Sequence, residues 1–378
     1  MRSPHDGDRE TLLINPGARV THLDTARGVA VMGILVINSL SFFLSDLAVY
    51  DLTQPQPQNR LSGWVGILGE LFADQKFMGL FSLLFGASYL LFLDRVRDRT
   101  AHPIRLSAWR NTLLLLIGFA HAAFWVGDIL MVYALCVPIL MMAGASSWRG
   151  LVVTGLLVYY LAIGAAVAAA PLADETTFAA LLSGQGTSDA TELLGFYFLL
   201  EIYLRALGMM LIGMGLYRSG WLLRAADASS APYAQVVIGA GALVSATGVI
   251  WGYHQGHTPQ ALILSNIPNT LVTPPMSLAY LALIMCWDAG NTGWLLARVR
   301  SLGRMALTNY LSQTLICLTL AQMIPSDWLD RASVWLLIFA IWAVQLGATS
   351  WWLSRFRLGP AEWLWRCATY RRWQPLRR

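Results

Sequence analysis

Charge is scarce in this chain: Asp, Glu, Lys and Arg make up 12% of its 378 residues, about half the share usual in soluble domains. With 56% hydrophobic residues and a mean hydropathy of +0.54, that shortage excludes a soluble enzyme and points to a polytopic membrane protein. Lysine is almost absent, Lys76 being the single one among 26 basic residues. The net charge of +5 is therefore carried by arginine, whose planar fork suits phosphate. The location of that charge argues against a nucleic-acid partner. Cys136, Cys286, Cys317 and Cys367 have neither metal-ligand spacing nor the pattern of a disulfide framework, so no metal is expected. Residues 1–21 hold no apolar run, and a cleavable signal peptide is not expected.

The hydrophobic runs that are present are long. Ten stretches read as membrane spans: 26–44, 76–93, 109–126, 129–145, 151–170, 193–217, 235–253, 269–287, 305–324 and 334–353. Each approaches the roughly 20 residues that cross a ~30 Å hydrocarbon core. With ten spans, every second loop falls on one side, and Arg95, Arg97, Arg99, Arg105, Arg149, Arg218, Arg224, Arg298, Arg300 and the tail arginines all collect there. The positive-inside rule then places both termini in the cytoplasm. The expected fold is all-α, a multi-pass bundle of about ten transmembrane helices. It divides into a mobile cytoplasmic arm (1–22), a single membrane domain (23–353) and a basic, aromatic interfacial tail (354–378). Residues 64–73 read as a short apolar piece lying along or dipping into the interface, and 288–304 as a loop.

Charged and amide side chains inside spans are costly in lipid and are functional candidates by default. The first span, LDTARGVAVMGILVIN, places Asp24 and Arg27 one turn apart, and Asn38 on the same face about 16 Å further along. Glu201 and Arg205 have the spacing of a buried intrahelical ion pair. His121 and Asp128, seven apart, could form a carboxylate-held general base. Arg304, Asn309 and Gln313 form a strip on the ninth span suited to a polar ligand, and Pro274–Pro275 is expected to interrupt the eighth. Each feature has a structural alternative: helix glue, a pair that orients a helix, or a core histidine bonded to a backbone carbonyl. Polar groups at every depth suit a transporter and a transmembrane group-transfer enzyme equally.

The blocks LDTARGVAVMGILVIN, KFMGLFSLLFG, GFAHAAFWVGDILMVYAL, GRMALTNYLSQTL and FRLGPAEWLWRCATY resemble the YeiB-like bacterial integral membrane proteins (domain of unknown function 418). More distantly, the LD-x-x-RG…N pattern of the first span is similar to that of transmembrane acyltransferases such as lysosomal heparan-glucosaminide acetyltransferase. That resemblance implies an acyl-CoA donor bound from the cytoplasmic side and an acceptor on the far side. Asp24, Arg27 and Asn38 are the positions that carry over. The acyltransferases often have histidine where this chain has Asn38, or one in the following outer loop, whereas 46–63 here holds none. The base then falls to His121.

The reading is a membrane-bound acyltransferase moving an acyl group from acyl-CoA, or a similar CoA donor, to an extracytoplasmic or lipid-linked acceptor. Its catalytic candidates are Asn38, His121 and Asp128, and its donor-binding candidates are Asp24, Arg27, Arg304, Asn309 and Gln313. The alternatives are a secondary transporter of a small polar or anionic solute, coupled through Glu201–Arg205, and a non-catalytic membrane component. The expected partners are membrane lipids and a small-molecule or lipid-linked substrate, with a homodimer left open and no nucleic acid. The expected location is the bacterial inner membrane.

Overall fold

The computed structural model describes residues 21–44, 51–52, 59–184, 188–224, 228–325 and 328–378. The expected arm, 1–22, lies outside them except for Thr21 and His22, which open the first helix. Helices are the dominant element throughout: α1 Thr21–Phe43, α2 Arg60–Phe72, α3 Lys76–Arg97, α4 Pro103–Ala122, α5 Leu130–Ala143, α6 Trp148–Ala169, α7 Glu175–Ser183, α8 Asp189–Arg218, α9 Ala231–His254, α10 Pro259–Ser265, α11 Ile267–Gly290, α12 Trp294–Arg304, α13 Ala306–Met323, α14 Arg331–Arg355 and α15 Pro360–Tyr370. One isolated bridge joins Phe356 to Arg377. The protein is a multi-pass bundle of apolar helices.

Each of the ten expected spans coincides with a helix. Among the described residues seven runs are long and apolar enough to cross: α1, α2–α3, α6, α8, α9, α10–α11 and α14. The three that fall short are α4, α5 and α13, and the shortfall has a cause in their residues. Arg105, Arg110 and Asn111 interrupt the apolarity of α4. α5 has 14 residues, and α13 carries Asn309, Ser312 and Gln313.

The bundle has a centre and a rim. The apolar windows of α1 and α8 are 61% buried, those of α6, α9 and α14 only 28%. Leu23, Ala30, Leu80, Leu83, Met209 and Leu281 bring α1, α3, α8 and α11 into one core. Leu157, Leu161, Leu243, Leu336 and Phe339 project outward from the rim helices, as a lipid-facing surface requires. Close approach of two helices fixes α1. A Cβ on Gly303 would overlap the carbonyl of Asp24, and one on Gly28 would overlap that of Val299. Only glycine lets α12 seat on α1 backbone to backbone.

Several loop expectations are corrected. Residues 294–304 are not loop but the amphipathic α12, which buries Leu296, Val299 and Leu302. The acidic connection between α6 and α8 holds a further helix, α7, whose first turn is capped by Asp174. Hydrogen bonds from Thr176 and Thr177 hold the Asp174 carboxyl below the usual carboxylate range. α11 runs unbroken through Pro274 and Pro275. Pro275 has no N–H for the carbonyl of Leu271, and the Tyr160 hydroxyl donates to that carbonyl at 3.0 Å instead. The C-terminal segment is not merely laid on a surface: α15 packs on α4 and α13. There Trp109 Nε1 donates to the Ala368 carbonyl and Trp365 Nε1 to that of Arg110.

Candidate functional site

The three helices too short or too polar to qualify as spans, α4, α5 and α13, surround a cavity of about 660 Å³ together with α1, α3 and α15. Its polarity is graded in the same sense on α1, α3 and α4. On α1, Arg27 precedes Ile34. On α3, Phe81 and Phe85 precede Arg95, and on α4 Arg110 precedes Leu114. Since α3 runs opposite to α1 and α4, all these arginines gather at one end and the apolar side chains at the other. Arg99, Arg304 and Arg366 complete the charged end, against two lining carboxylates, Asp24 and Glu362.

The local partners explain how this charge is held. Arg27 donates to Asp24 Oδ1 at 3.1 Å and to Ser88 Oγ at 2.6 Å. Glu362 accepts from the backbone N–H groups of Leu307 and Thr308 and from the Thr308 hydroxyl. It thereby caps the start of α13 from another helix. Burial pushes the Glu362 carboxyl above its usual range despite these hydrogen bonds. Arg110 is sandwiched between rings, 4.3 Å from Phe92 and 4.2 Å from Trp365. Among the described residues no carboxylate lies within ion-pair distance of Arg95, Arg99, Arg110 or Arg366. Asn111 gives its Nδ2 to the Ala134 carbonyl, and its buried Oδ1 has no partner among the described residues.

At the other end of the cavity Tyr310 lines the wall and donates its hydroxyl to Asp128 Oδ1 at 3.2 Å. The same carboxylate meets His121 Nδ1 at 2.7 Å, and its second oxygen accepts from the Met131 N–H. Asp128 therefore caps α5 and holds the imidazole together. With Nδ1–H donated to Asp128, the free lone pair is on Nε2, which is buried and has no hydrogen-bond partner among the described residues. His121 and Asp128 stand behind the wall, reached from the cavity through Tyr310 and Ile129. Beyond them the turn is open, with Phe124 73% and Val126 94% exposed.

The expected site residues separate into two groups. Asp24, Arg27 and Arg304 line the cavity, and His121 and Asp128 form a pair at its far end. Asn38 lies one turn past Ile34 on α1, near that end because Phe42 packs on Trp125 at 4.7 Å. It is partly exposed and not on the wall. Asn309 and Gln313 are not on the wall either. On α13 Ala306, Leu307 and Tyr310 face the cavity. Rotation of about 100° per residue turns Asn309 off that face, while Gln313, nearly in line with Ala306, lies further along the helix beyond the lining. Asn309 Nδ2 closes the end of α12 on the carbonyls of Leu302 and Met305, and Gln313 Nε2 donates to Gln345 Oε1. Tyr310, Arg110, Glu362 and Trp365 were missed from sequence. Arg110, an arginine just inside the expected span 109–126, was the available signal.

The Glu201–Arg205 pair forms, at 3.3 Å, in a second polar region apart from the cavity. Lys76, fully buried, donates to Asn269 Oδ1 and the Glu70 carbonyl. Asn269 Nδ2 donates to Asp74 Oδ2 at 2.8 Å. Gln75, at φ 63, turns the chain between α2 and α3 and donates to Asn266.

Comparison with known proteins places the chain. The profile described as "Protein of unknown function (DUF418)" matches residues 216–372. A protein of Escherichia coli (strain K12), "Uncharacterized protein YeiB", is 32% identical over 381 residues, covering 92% of this chain and 96% of that protein. The chain belongs to the DUF418 family. "Uncharacterized protein YxaH" of Bacillus subtilis (strain 168) is 27% identical over 95% of the chain and 96% of its own length. An "Uncharacterized 39.9 kDa protein in amylase 3'region" of Bacillus acidopullulyticus is 28% identical over the same shares. No solved structure matches. The DUF418 profile spans the half of the cavity built by α12, α13 and α15. The relatives align over more than nine-tenths of the chain, well beyond that profile. None of these names carries an activity, so the functional reading rests on the site.

Proposed function

We propose that this DUF418 protein is a membrane-bound acyltransferase of the bacterial inner membrane, with both termini cytoplasmic and ten helices crossing. Its donor is acyl-CoA or a similar phosphate-bearing thioester, and its acceptor is extracytoplasmic or lipid-linked. The observation that carries the reading is the order of groups along the cavity: arginines at one end, an apolar body, then Tyr310, Asp128 and His121. That order matches a donor with a phosphorylated head and an apolar tail. The acceptor would reach His121 from the exposed turn 123–127. Its hydroxyl or amine attacks the thioester carbon as His121 Nε2 takes its proton, the C–S bond breaks, and the proton passes to the leaving sulfur. Asp128 keeps the imidazole oriented, and Asn38 donates to the thioester oxygen as charge develops there. The interruption expected at Pro274–Pro275 would have given a secondary transporter its binding element, and α11 is continuous there.

Ligand-induced stabilisation tests this. Saturating CoA raises the melting temperature of the wild-type protein, and Arg27→Ala removes the shift. No shift in the wild type sinks the reading. Reporter fusions after Arg99 and Asp189 read inside and outside respectively, and a cytoplasmic signal at Asp189 overturns the orientation.

A further inference from the structure

A second cavity, of about 720 Å³, adjoins the first between the α3–α4 turn and the C-terminal segment. Arg99 and Arg366 line both cavities. Arg105, Arg371 and Arg372 add three more guanidinium groups, and no carboxylate lines this space. Arg371 ends α15 in the left-handed conformation, φ 52, which glycine would adopt without cost. Its guanidinium lies 4.9 Å from the centre of the Trp109 ring. Clustered arginines at a membrane surface also suit anionic lipid headgroups, so the neighbouring cavity and the stacking surface carry the distinction. Here five converge on one concavity that shares Arg99 and Arg366 with the first cavity.

Resting on the acyl-CoA reading above, we infer that this second cavity holds the phosphorylated nucleoside end of the donor. Arg99 and Arg366 meet the diphosphate at the junction, and Arg105 and Arg372 meet a terminal phosphomonoester. The planar Arg371 guanidinium and Trp109 offer the base a stacking surface. The thioester arm then enters the first cavity past Arg110. Multiple phosphates give each arginine a partner, as charge-assisted hydrogen bonds between guanidinium and phosphate require.

The test uses the full chain in phosphatidylcholine nanodiscs and compares binding of CoA, dephospho-CoA and adenosine 3',5'-bisphosphate. Arg105 and Arg372 are exposed, so the double variant Arg105→Gln with Arg372→Gln keeps the fold. Wild type is expected to bind adenosine 3',5'-bisphosphate and to prefer CoA over dephospho-CoA by about tenfold, roughly one charge-assisted contact. The double variant is expected to bind CoA and dephospho-CoA alike. Wild-type CoA affinity in the double variant overturns this inference and leaves the acyltransferase reading standing. No CoA binding by the wild type overturns both. The same titration with phosphatidylglycerol present separates nucleotide from lipid. Occupancy that follows phosphatidylglycerol and no nucleotide assigns the arginines to lipid and overturns the inference.

Discussion

Two regions of this protein concentrate charge, and they differ in how that charge is balanced. Around Lys76, Asn269, Glu201 and Arg205, cations face carboxylates or amides within hydrogen-bond reach. Around the cavity six arginines face two carboxylates, and Arg110 rests between aromatic rings. Burying charge is tolerated when it is paired, so the first arrangement holds helices together. The second keeps cations beside open space, as a site for an anionic ligand does. The two regions should therefore differ in how much stability they lose with a charge.

The largest effect is expected in the balanced region. Glu201→Gln leaves Arg205 buried without its carboxylate and should cost about 3–5 kcal/mol. Adding Arg205→Met should recover part of the loss in thermal unfolding. If the single and double variants are equally stable to the wild type, the pair is not a stabilising element. Next comes the helix contact that supports the cavity. Gly303→Ala forces α12 from the Asp24 carbonyl and should cost about 1–3 kcal/mol, as overpacking does. Tolerance of alanine there means that α12 and α1 do not pack closely.

A smaller effect belongs to a surface cap outside both regions. Burial raises the Asp330 carboxyl, but hydrogen bonds from Ser333, Ser62 and Asn59 outweigh it and hold the group below its ordinary value of 3.8. A carboxylate lowered on folding stabilises above its unfolded value. The contribution should thus be present above pH 3.8 and lost as pH falls through the folded value. Asp330→Ala should cost about 1 kcal/mol at pH 7 and make the acid limb shallower. An unchanged acid limb rejects this assignment. The smallest stability effect is expected at Arg110. Arg110→Leu gives up two ring contacts but also relieves a charge with no carboxylate partner among the described residues, so it should move stability by less than about 1 kcal/mol, while CoA-dependent stabilisation disappears. A loss as large as that of Glu201→Gln would erase the distinction between the regions.

How much of the site was legible depended on whether its signal was local. Arg27, His121 and Asp128 could be picked out because each is a polar group in or beside an apolar run, where cost marks it. Seven residues bring His121 and Asp128 to one place without a regular helix between them, since the turn at 123–129 folds back. Asn309 and Gln313 carried the same signal but answer backbone carbonyls and another amide. Polarity inside a span reveals that a partner exists and not which one. Tyr310 has no such signal, because a tyrosine in an apolar helix is ordinary until its hydroxyl is seen to reach Asp128.

Composition alone determined that this is a multi-pass helical membrane protein, because a chain this apolar must satisfy its backbone within helices. The hydrophobic runs determined where each main helix lies. The cavity was decided by tertiary structure. It exists because α4, α5 and α13, the helices that fall short as spans, are held around α1, α3 and α15, with liners from positions 23 to 366. Such a space belongs to the packing of distant segments, and no local pattern along the chain encodes it.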